Sequence, residues 1–386
     1  MDYARLLSLN KLLELNSFFL FGPRGTGKSY WIRRSLPEVK VFDLLDADVF
    51  ERLLRRPRQL GEEIGSGDSW VVIDEVQKLP SILDEVHRLI ETRHIRFLLT
   101  GSSARKLRRS GVNLLAGRAW EAGFFPLCAA EIPDFDLTRY LNRGGLPRAY
   151  LSASPKDELQ TYARLYLSEE IKAEALARKI GNFARFLDVM ALQNGKELHY
   201  HNIACDAGVP TRTIESYLQV LKDTLVGFEL LPFAGGNKRK AITRSKFYFF
   251  DVGVTNALAR RGEILPGSAL FGECFEHWLV LEVRAFLGIH RRDEGLRYWR
   301  TKTGFEVDLV VGDALAVEFK ATRQVAERHL KGLKALREEG AVKDFVVVSL
   351  DPEPRRVDGI RILPWTKFLD ALWRGTLLSE HGILWQ

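Results

Sequence analysis

Cysteine is scarce in this chain: Cys128, Cys205 and Cys274 are the only three in 386 residues, far apart and odd in number. That count argues against a disulfide framework or a cysteine-built zinc cluster and suits a reducing, cytosolic setting. Long hydrophobic runs are missing too, with nothing approaching the roughly 20 apolar residues that a membrane-spanning helix needs. The opening Met1-Asp2-Tyr3-Ala4-Arg5 lacks the layout of a signal peptide. The expectation is a cytoplasmic protein with no membrane partner. There are no tandem repeats and no low-complexity tracts. What remains is an ordinary globular composition, 46% hydrophobic and 28% charged, with length enough for two or three domains. The formal net charge of +7 permits a nucleic acid or another anionic partner without requiring one.

Against that plain background one stretch stands out. Phe18 to Phe21 reads as a buried strand and runs into Gly22-Pro23-Arg24-Gly25-Thr26-Gly27-Lys28-Ser29, followed by helix-compatible sequence. Strand, glycine loop, helix is the order a phosphate-binding P-loop requires. The glycines let backbone N–H groups turn inward around an anion, and the following helix points its positive end at it. Lys28 supplies a compact charge to the β- and γ-phosphates, and the Ser29 hydroxyl is a ligand for Mg²⁺. The expected ligands are ATP and Mg²⁺.

Downstream, Trp70 to Glu75 is an apolar strand ending in two carboxylates. In P-loop enzymes the first, here Asp74, helps hold Mg²⁺, and the second, Glu75, orients and deprotonates the attacking water. A strand end followed by a helix cap is the bland alternative. Ile95 to Thr100 reads as the next strand, and a polar group at its end, Thr100 or Ser102, could sense the γ-phosphate; a helix N-cap is the competing role for either serine. Arg105, Lys106, Arg108 and Arg109 form a basic cluster, most often a solvated face.

With Leu44-Leu45-Asp46, Asp74-Glu75-Val76-Gln77-Lys78, Leu99-Thr100-Gly101-Ser102-Ser103, Leu115-Ala116-Gly117-Arg118 and Gly144-Gly145-Leu146-Pro147, the chain resembles the prokaryotic AAA+ P-loop ATPases that carry a C-terminal domain of unknown function with a nuclease-like fold. The resemblance implies a central parallel sheet whose sensor strand lies between the P-loop and Walker B strands. It also makes Arg118 a candidate arginine finger or sensor, worth about 10³–10⁵ in rate where it reaches the transferring phosphate. A salt bridge within the fold is the alternative. Action in trans would require a homo-oligomer.

Past Pro133 the composition shifts, and Asp134 to Tyr150 reads as a linker and hinge around Gly144 to Pro147. Helical spacing returns from Asp157 to Lys179 and from Phe183 to Gln193. His199 to Leu221 reads helix, turn, helix, bent at Gly208-Val209-Pro210. Two strand-like runs follow, Phe228 to Phe233 and Lys246 to Asp251, joined by a basic turn. This is the outline of a winged helix. In a DNA-binding version Thr211, Arg212, Thr213 and Ser216 would face the groove, while Lys238, Arg239, Lys240, Arg244 and Lys246 would track phosphates. Winged helices also serve as protein-protein modules.

The last third brings further acids together. Phe271 to Phe286 is an amphipathic helix bearing Glu276, followed by strands Phe305 to Val311 and Ala314 to Lys320. Glu276, Glu306-Val307-Asp308 and Glu318-Phe319-Lys320 resemble the PD-(D/E)XK nuclease motif, with Val307 where its name has proline. That resemblance implies Asp308 and Glu318 on a second Mg²⁺ or Mn²⁺, Lys320 positioning or activating water, and Glu276 assisting the metal. The acids share a face only if the hairpin loop has the right length. A two-residue turn pairs position 308 with 317, whereas the three-residue loop Gly312 to Ala314 pairs 308 with 318. The three-residue loop is expected. A buried ion network is the alternative use of the same groups.

The expected fold is α/β. An AAA+ P-loop core spans residues 1–133 with a parallel sheet, a linker and helical segment 134–182, a winged helix 183–265, and a PD-(D/E)XK-like α/β domain 266–386. The expected activity is ATP hydrolysis driving a conformational change, on or with DNA. The alternatives are an ATP-regulated metal-dependent DNA nuclease and a nucleotide-switched scaffold.

Overall fold

A computed structural model describes residues 3–103, 115–166, 180–235 and 239–378. The chain divides into two compact units, Met1–Leu127 with Leu221–Val226, and Cys128–Val220 with Gly227–Gln386.

The first unit is built on five strands, β1 (Ser17–Phe21), β2 (Lys40–Asp43), β3 (Trp70–Asp74), β4 (Arg96–Gly101) and β5 (Ala119–Gly123), in the order β2-β3-β4-β1-β5. All pairings are parallel. The three central strands are continuous apolar runs, which is what a strand covered on both faces demands. The helix Ile82–Arg93 shows the complementary pattern, burying Ile82, Leu83, Val86 and Leu89 along one stripe against β3 and β4 side chains such as Ile73 and Phe97. Each such side chain contributes about 1.5–3 kcal/mol of burial, so Leu89→Ala would cost about 2–5 kcal/mol. The order places β4 between β1, which carries the glycine loop, and β3, which carries the paired acids.

The second unit holds an eight-stranded mixed sheet: β6 (Gly227–Pro232), β7 (Lys246–Phe249), β8 (Leu296–Arg300), β9 (Glu306–Val311), β10 (Leu315–Lys320), β11 (Asp344–Ser349), β12 (Arg355–Val357) and β13 (Ile360–Pro364), ordered β12-β13-β11-β10-β9-β8-β6-β7. The helices Tyr200–Ala207 and Thr211–Asp223 meet at Gly208, whose φ of 65° ends the first of them. The hairpin that follows is not a free wing. Its strand β6 pairs in parallel with β8 through Leu231 and Pro232, so the hairpin completes the large sheet.

The turn at Gly144-Gly145, expected as a hinge, is packed against Asp251. Gly145 N–H donates to Asp251 Oδ2 at 2.7 Å, and Val254 N–H to Oδ1 at 2.8 Å. Gly144 has φ 70°, and a Cβ there would lie 2.2 Å from Asp251 Oδ1. Asp251 itself is buried, and burial raises its pKa to about 6 against the opposing pull of four backbone N–H groups. The glycines of this motif allow a close approach within the second unit.

Toward the tail, a short 3₁₀ turn Glu327–Leu330 precedes the helix Lys331–Glu339. The β12–β13 hairpin escaped the reading, although Asp358-Gly359, both at positive φ, is a strong two-residue hairpin signal.

Candidate functional site

The glycine loop is shaped by the strands around it. Gly22 N–H bonds to Gly101 O at 3.3 Å, and a Cβ on Gly22 would lie 2.2 Å from Phe124 O, so only glycine fits where the chain leaves β1. Gly25 and Gly27 take φ of 80° and 89°, open to glycine at no steric cost. The buried Thr26 closes the loop by donating to Pro23 O at 2.8 Å. Arg5 braces it from outside, donating to Thr26 O at 3.1 Å and to Phe125 O at 2.6 Å. Lys28 opens the helix Lys28–Ser35 and lies folded over the loop, its Nζ donating to Gly22 O at 2.6 Å and Pro23 O at 3.0 Å. Arg24 and Gly25 are exposed, and Ser29 is half-buried at the second position of the helix.

Asp74 ends β3, buried, and accepts from the Thr100 hydroxyl. The same hydroxyl oxygen accepts from Glu75 N–H at 3.1 Å. Thr100 therefore ties the two acids together from the neighbouring strand. Glu75 sits at φ 58°, a region sparsely used by residues with side chains, and this kink ends the strand and separates its side chain from that of Asp74. Ser102 Oγ lies 3.4 Å from Glu75 Oε2, and Gln77 Nε2 donates to that oxygen and, at 3.2 Å, to Ser102 Oγ. Gln77 Oε1 is buried without a partner. Gln77 was not singled out as functional from sequence; its place two residues after the acid pair, on the turn Val76–Lys78, was the only signal. β1 and β3 lie two strand spacings apart, roughly 10 Å, with β4 between the strand that carries the loop and the strand that ends in Asp74. The Ser29 hydroxyl and the Asp74 carboxylate are hard oxygen donors, which suits Mg²⁺.

Arg118 pairs with Glu91 on the helix Ile82–Arg93, both partly exposed, and the pair holds Glu91 below the usual carboxylate range. The cluster Arg105, Lys106, Arg108 and Arg109 lies outside the described residues.

In the second unit the acids do converge. Val311 pairs with Leu315 across the three-residue loop, so Asp308 and Glu318 fall in register, as expected. Lys320 Nζ lies 2.5 Å from Glu318 Oε1 and 3.5 Å from Asp308 Oδ2, and Phe319 N–H donates to Asp308 Oδ2 at 2.8 Å. Tyr248 OH donates to Glu276 Oε1 at 2.7 Å. Lys246, expected to track phosphates on the hairpin, is instead buried in this cluster. Its Nζ lies 2.7 Å from Glu306 Oε1 and 3.9 Å from Glu276 Oε1. Burial raises the pKa of Glu276 to about 7 and that of Glu318 upward, with Asp308 adding repulsion to both. Burial works against both lysine charges, but the surrounding carboxylates raise both lysine pKa values overall. Glu318 Oε2 is buried without a partner, yet no three ligand-type side chains among the described residues are arranged to hold a metal ion. The donors suit Mg²⁺ or Mn²⁺ by chemistry, but with two ammonium groups among them the arrangement does not.

The other expected DNA contacts scatter. Arg239 pairs with Glu338 and Glu339 and donates to Ala335 O at 3.0 Å. Arg244 reaches Glu197 at 3.8 Å, Arg212 and Lys240 are exposed, and Lys238 lies outside the described residues. Lys246 is buried among carboxylates, and the half-buried Arg239 is paired with Glu338 and Glu339, so the charge of each already has acidic partners within the second unit.

Comparison with known families matches residues 15–133 to the AAA domain, residues 134–264 to the Domain of unknown function (DUF8612) and residues 271–368 to the Domain of unknown function (DUF4143). The AAA-domain match takes in the glycine loop and the paired acids of the first unit. Similar curated proteins include an uncharacterized protein of Mycobacterium tuberculosis, 25% identical over 78% of this chain and 70% of its own length. An uncharacterized protein of Methanocaldococcus jannaschii is 22% identical over 76% and 71%. Among solved structures, a Signal Transduction ATPase with Numerous Domains (STAND) protein with a tetratricopeptide repeat sensor, from Pyrococcus horikoshii, is 12% identical at a TM-score of 0.25, too low to carry an argument about shape. It covers 76% of this chain, which in turn spans 48% of that protein. No described helix is long and apolar enough to cross a membrane.

Proposed function

We propose that this protein binds ATP with Mg²⁺ in the glycine loop and hydrolyses it, using the energy to change conformation. The observation that supports this reading most directly is the Thr100 hydroxyl joining Asp74 to Glu75 on the strand beside the loop. Lys28, now held by two carbonyl oxygens, can exchange them for phosphate oxygens without leaving the loop. Mg²⁺, when bound, supplies charge neutralisation at the phosphates, with Ser29 and Asp74 as its protein donors. Glu75, held by Gln77 and Ser102, orients the attacking water and takes its proton. Ser102, beside that carboxylate, is placed to report on it, while the Thr100 hydroxyl is engaged in holding the acids.

The test is phosphate release alongside ATP binding. Lys28→Ala should abolish binding or turnover. Glu75→Gln should still bind ATP but turn over about 10²–10⁴-fold more slowly. Wild-type turnover in Glu75→Gln would remove Glu75 from its role, and absence of ATP binding in the unaltered protein would remove the whole reading.

A DNA partner has narrower support. Thr211 and Arg212, exposed at the start of the helix Thr211–Asp223, remain available, whereas Arg239 and Lys246 are engaged internally. Stimulation of turnover by DNA, lost as salt rises and reduced in Arg212→Ala, is the expected sign.

A further inference from the structure

The cluster Glu276, Glu306, Asp308 and Glu318 has the acids of a metal site but a different source of positive charge. Lys246 arrives from β7, the edge strand of the eight-stranded sheet, and is only 4% exposed. It meets Glu306 from β9 at 2.7 Å and Glu276 from the helix Ala269–Ile289 at 3.9 Å, with its ammonium 5.1 Å from the centre of the Tyr298 ring on β8. Lys320 closes the other side against Asp308 and Glu318. Arg300 adds a third cation, its Nε 3.6 Å from Glu306 Oε2. The remaining described contacts are neutral: the Tyr248 hydroxyl on Glu276 and the Phe319 amide on Asp308.

We propose that Lys246 is the built-in cation of this cluster: it takes the charge-neutralising place of a divalent ion, ties the β6–β7 hairpin to the sheet and helix behind it, and keeps the cluster metal-free. The physical reason is competition for Glu276. A divalent ion must gather Glu276, Asp308 and Glu318 around one point, and it must do so beside a buried ammonium already paired with Glu306 and 3.9 Å from Glu276 Oε1. The inference is independent of the ATPase reading, because it concerns only the second unit.

Mn²⁺ binding to the full chain tests it, by calorimetry without nucleotide in an Asp74→Asn background that silences the other acid expected to hold an ion. With Lys246 present, no saturable binding is expected up to about 1 mM Mn²⁺. Lys246→Met, similar in length and uncharged, should gain one equivalent bound at least about tenfold more tightly, and Asp308→Asn should abolish the gain. Lys246→Arg, which keeps the charge, should gain none. One Mn²⁺ bound with Lys246 present and lost on Asp308→Asn overturns the inference. So does a folded Lys246→Met protein that gains nothing. If Lys246→Met does not fold, Mn²⁺ titrations with Lys246 in place, with and without Asp308→Asn, decide between the same outcomes.

Discussion

The glycine loop and the acid cluster use the same residue types, lysine beside aspartate and glutamate, under different constraints. Around the loop, the described contacts of the charges are with neutral groups: carbonyl oxygens on Lys28, Thr100 on Asp74, and Gln77 and Ser102 on Glu75. In the second unit, charge holds charge: Lys246 and Lys320 sit directly on Glu276, Glu306, Asp308 and Glu318. A charge supported by dipoles can turn to a ligand when one arrives. One supported by an opposite charge is already satisfied, and a ligand must first break the pair. The motif residues alone, read as two catalytic centres, do not distinguish these cases.

The sharpest way to break this contrast is to remove each lysine and measure folding. Lys246→Ala takes a buried counter-charge away from the half-buried Glu276 and Glu306 and should cost about 3–5 kcal/mol in urea unfolding. Lys28→Ala loses hydrogen bonds to the carbonyl oxygens of Gly22 and Pro23 and should cost about 1–3 kcal/mol. Equal losses would erase the distinction.

Glu282 sharpens the contrast from inside the second unit, as a buried acid held by neutral donors. Ala129 N–H and Trp278 Nε1 bond to its Oε1 at 2.8 and 3.0 Å, and Trp373 Nε1 to Oε2 at 2.9 Å. Burial raises its pKa from 4.5 to about 7, outweighing those bonds. Because the folded state holds the proton more tightly, the associated stability is complete below pH 4.5 and is lost as pH rises through 7. The loss amounts to about 3 kcal/mol. Glu282→Gln should flatten that part of the stability profile, seen as the difference between wild-type and variant unfolding at pH 4.5 and pH 8. An unchanged profile would mean the group stays ionised.

Gly144→Ala comes next. A Cβ at 2.2 Å from Asp251, at φ 70°, should destabilise the fold by about 1–3 kcal/mol. A tolerated alanine would mean that the turn yields, as a hinge would. The smallest effect is expected from Arg118→Ala, whose partner Glu91 lies at the surface. The melting temperature should barely move. A fall in turnover of a hundredfold or more would instead place Arg118 at a phosphate, and its dependence on protein concentration would tell whether a neighbouring subunit receives it.

Much of the first unit was legible because its signals are local. Its three central strands are short apolar runs, and the loop and acid motifs sit at strand ends where parallel sheets place their chemistry. The hairpin β9–β10 was legible too, since a loop length of three sets the register and register sets the face. The β6–β7 hairpin defeated the same approach. From Lys246 to Phe249 every residue is buried, so no polar alternation reveals which way Lys246 points. The pairing of β6 with β8 joins segments far apart in sequence, which no local pattern encodes. Gln77 was missed for another reason: its place just after the acid pair does not reveal which groups its amide meets until the turn's neighbours in space are known.

The sequence by itself determined where backbone amides can gather around an anion, which strands carry the paired acids, and that Asp308 meets Glu318. These follow from glycine's freedom, from apolar runs and from loop length, all set within a few residues. Only the tertiary structure decided what each charge meets. The partners of Lys246, Arg239 and Asp251 come from distant segments, and at close range inside a folded core electrostatics and hydrogen bonding are set by neighbours in space.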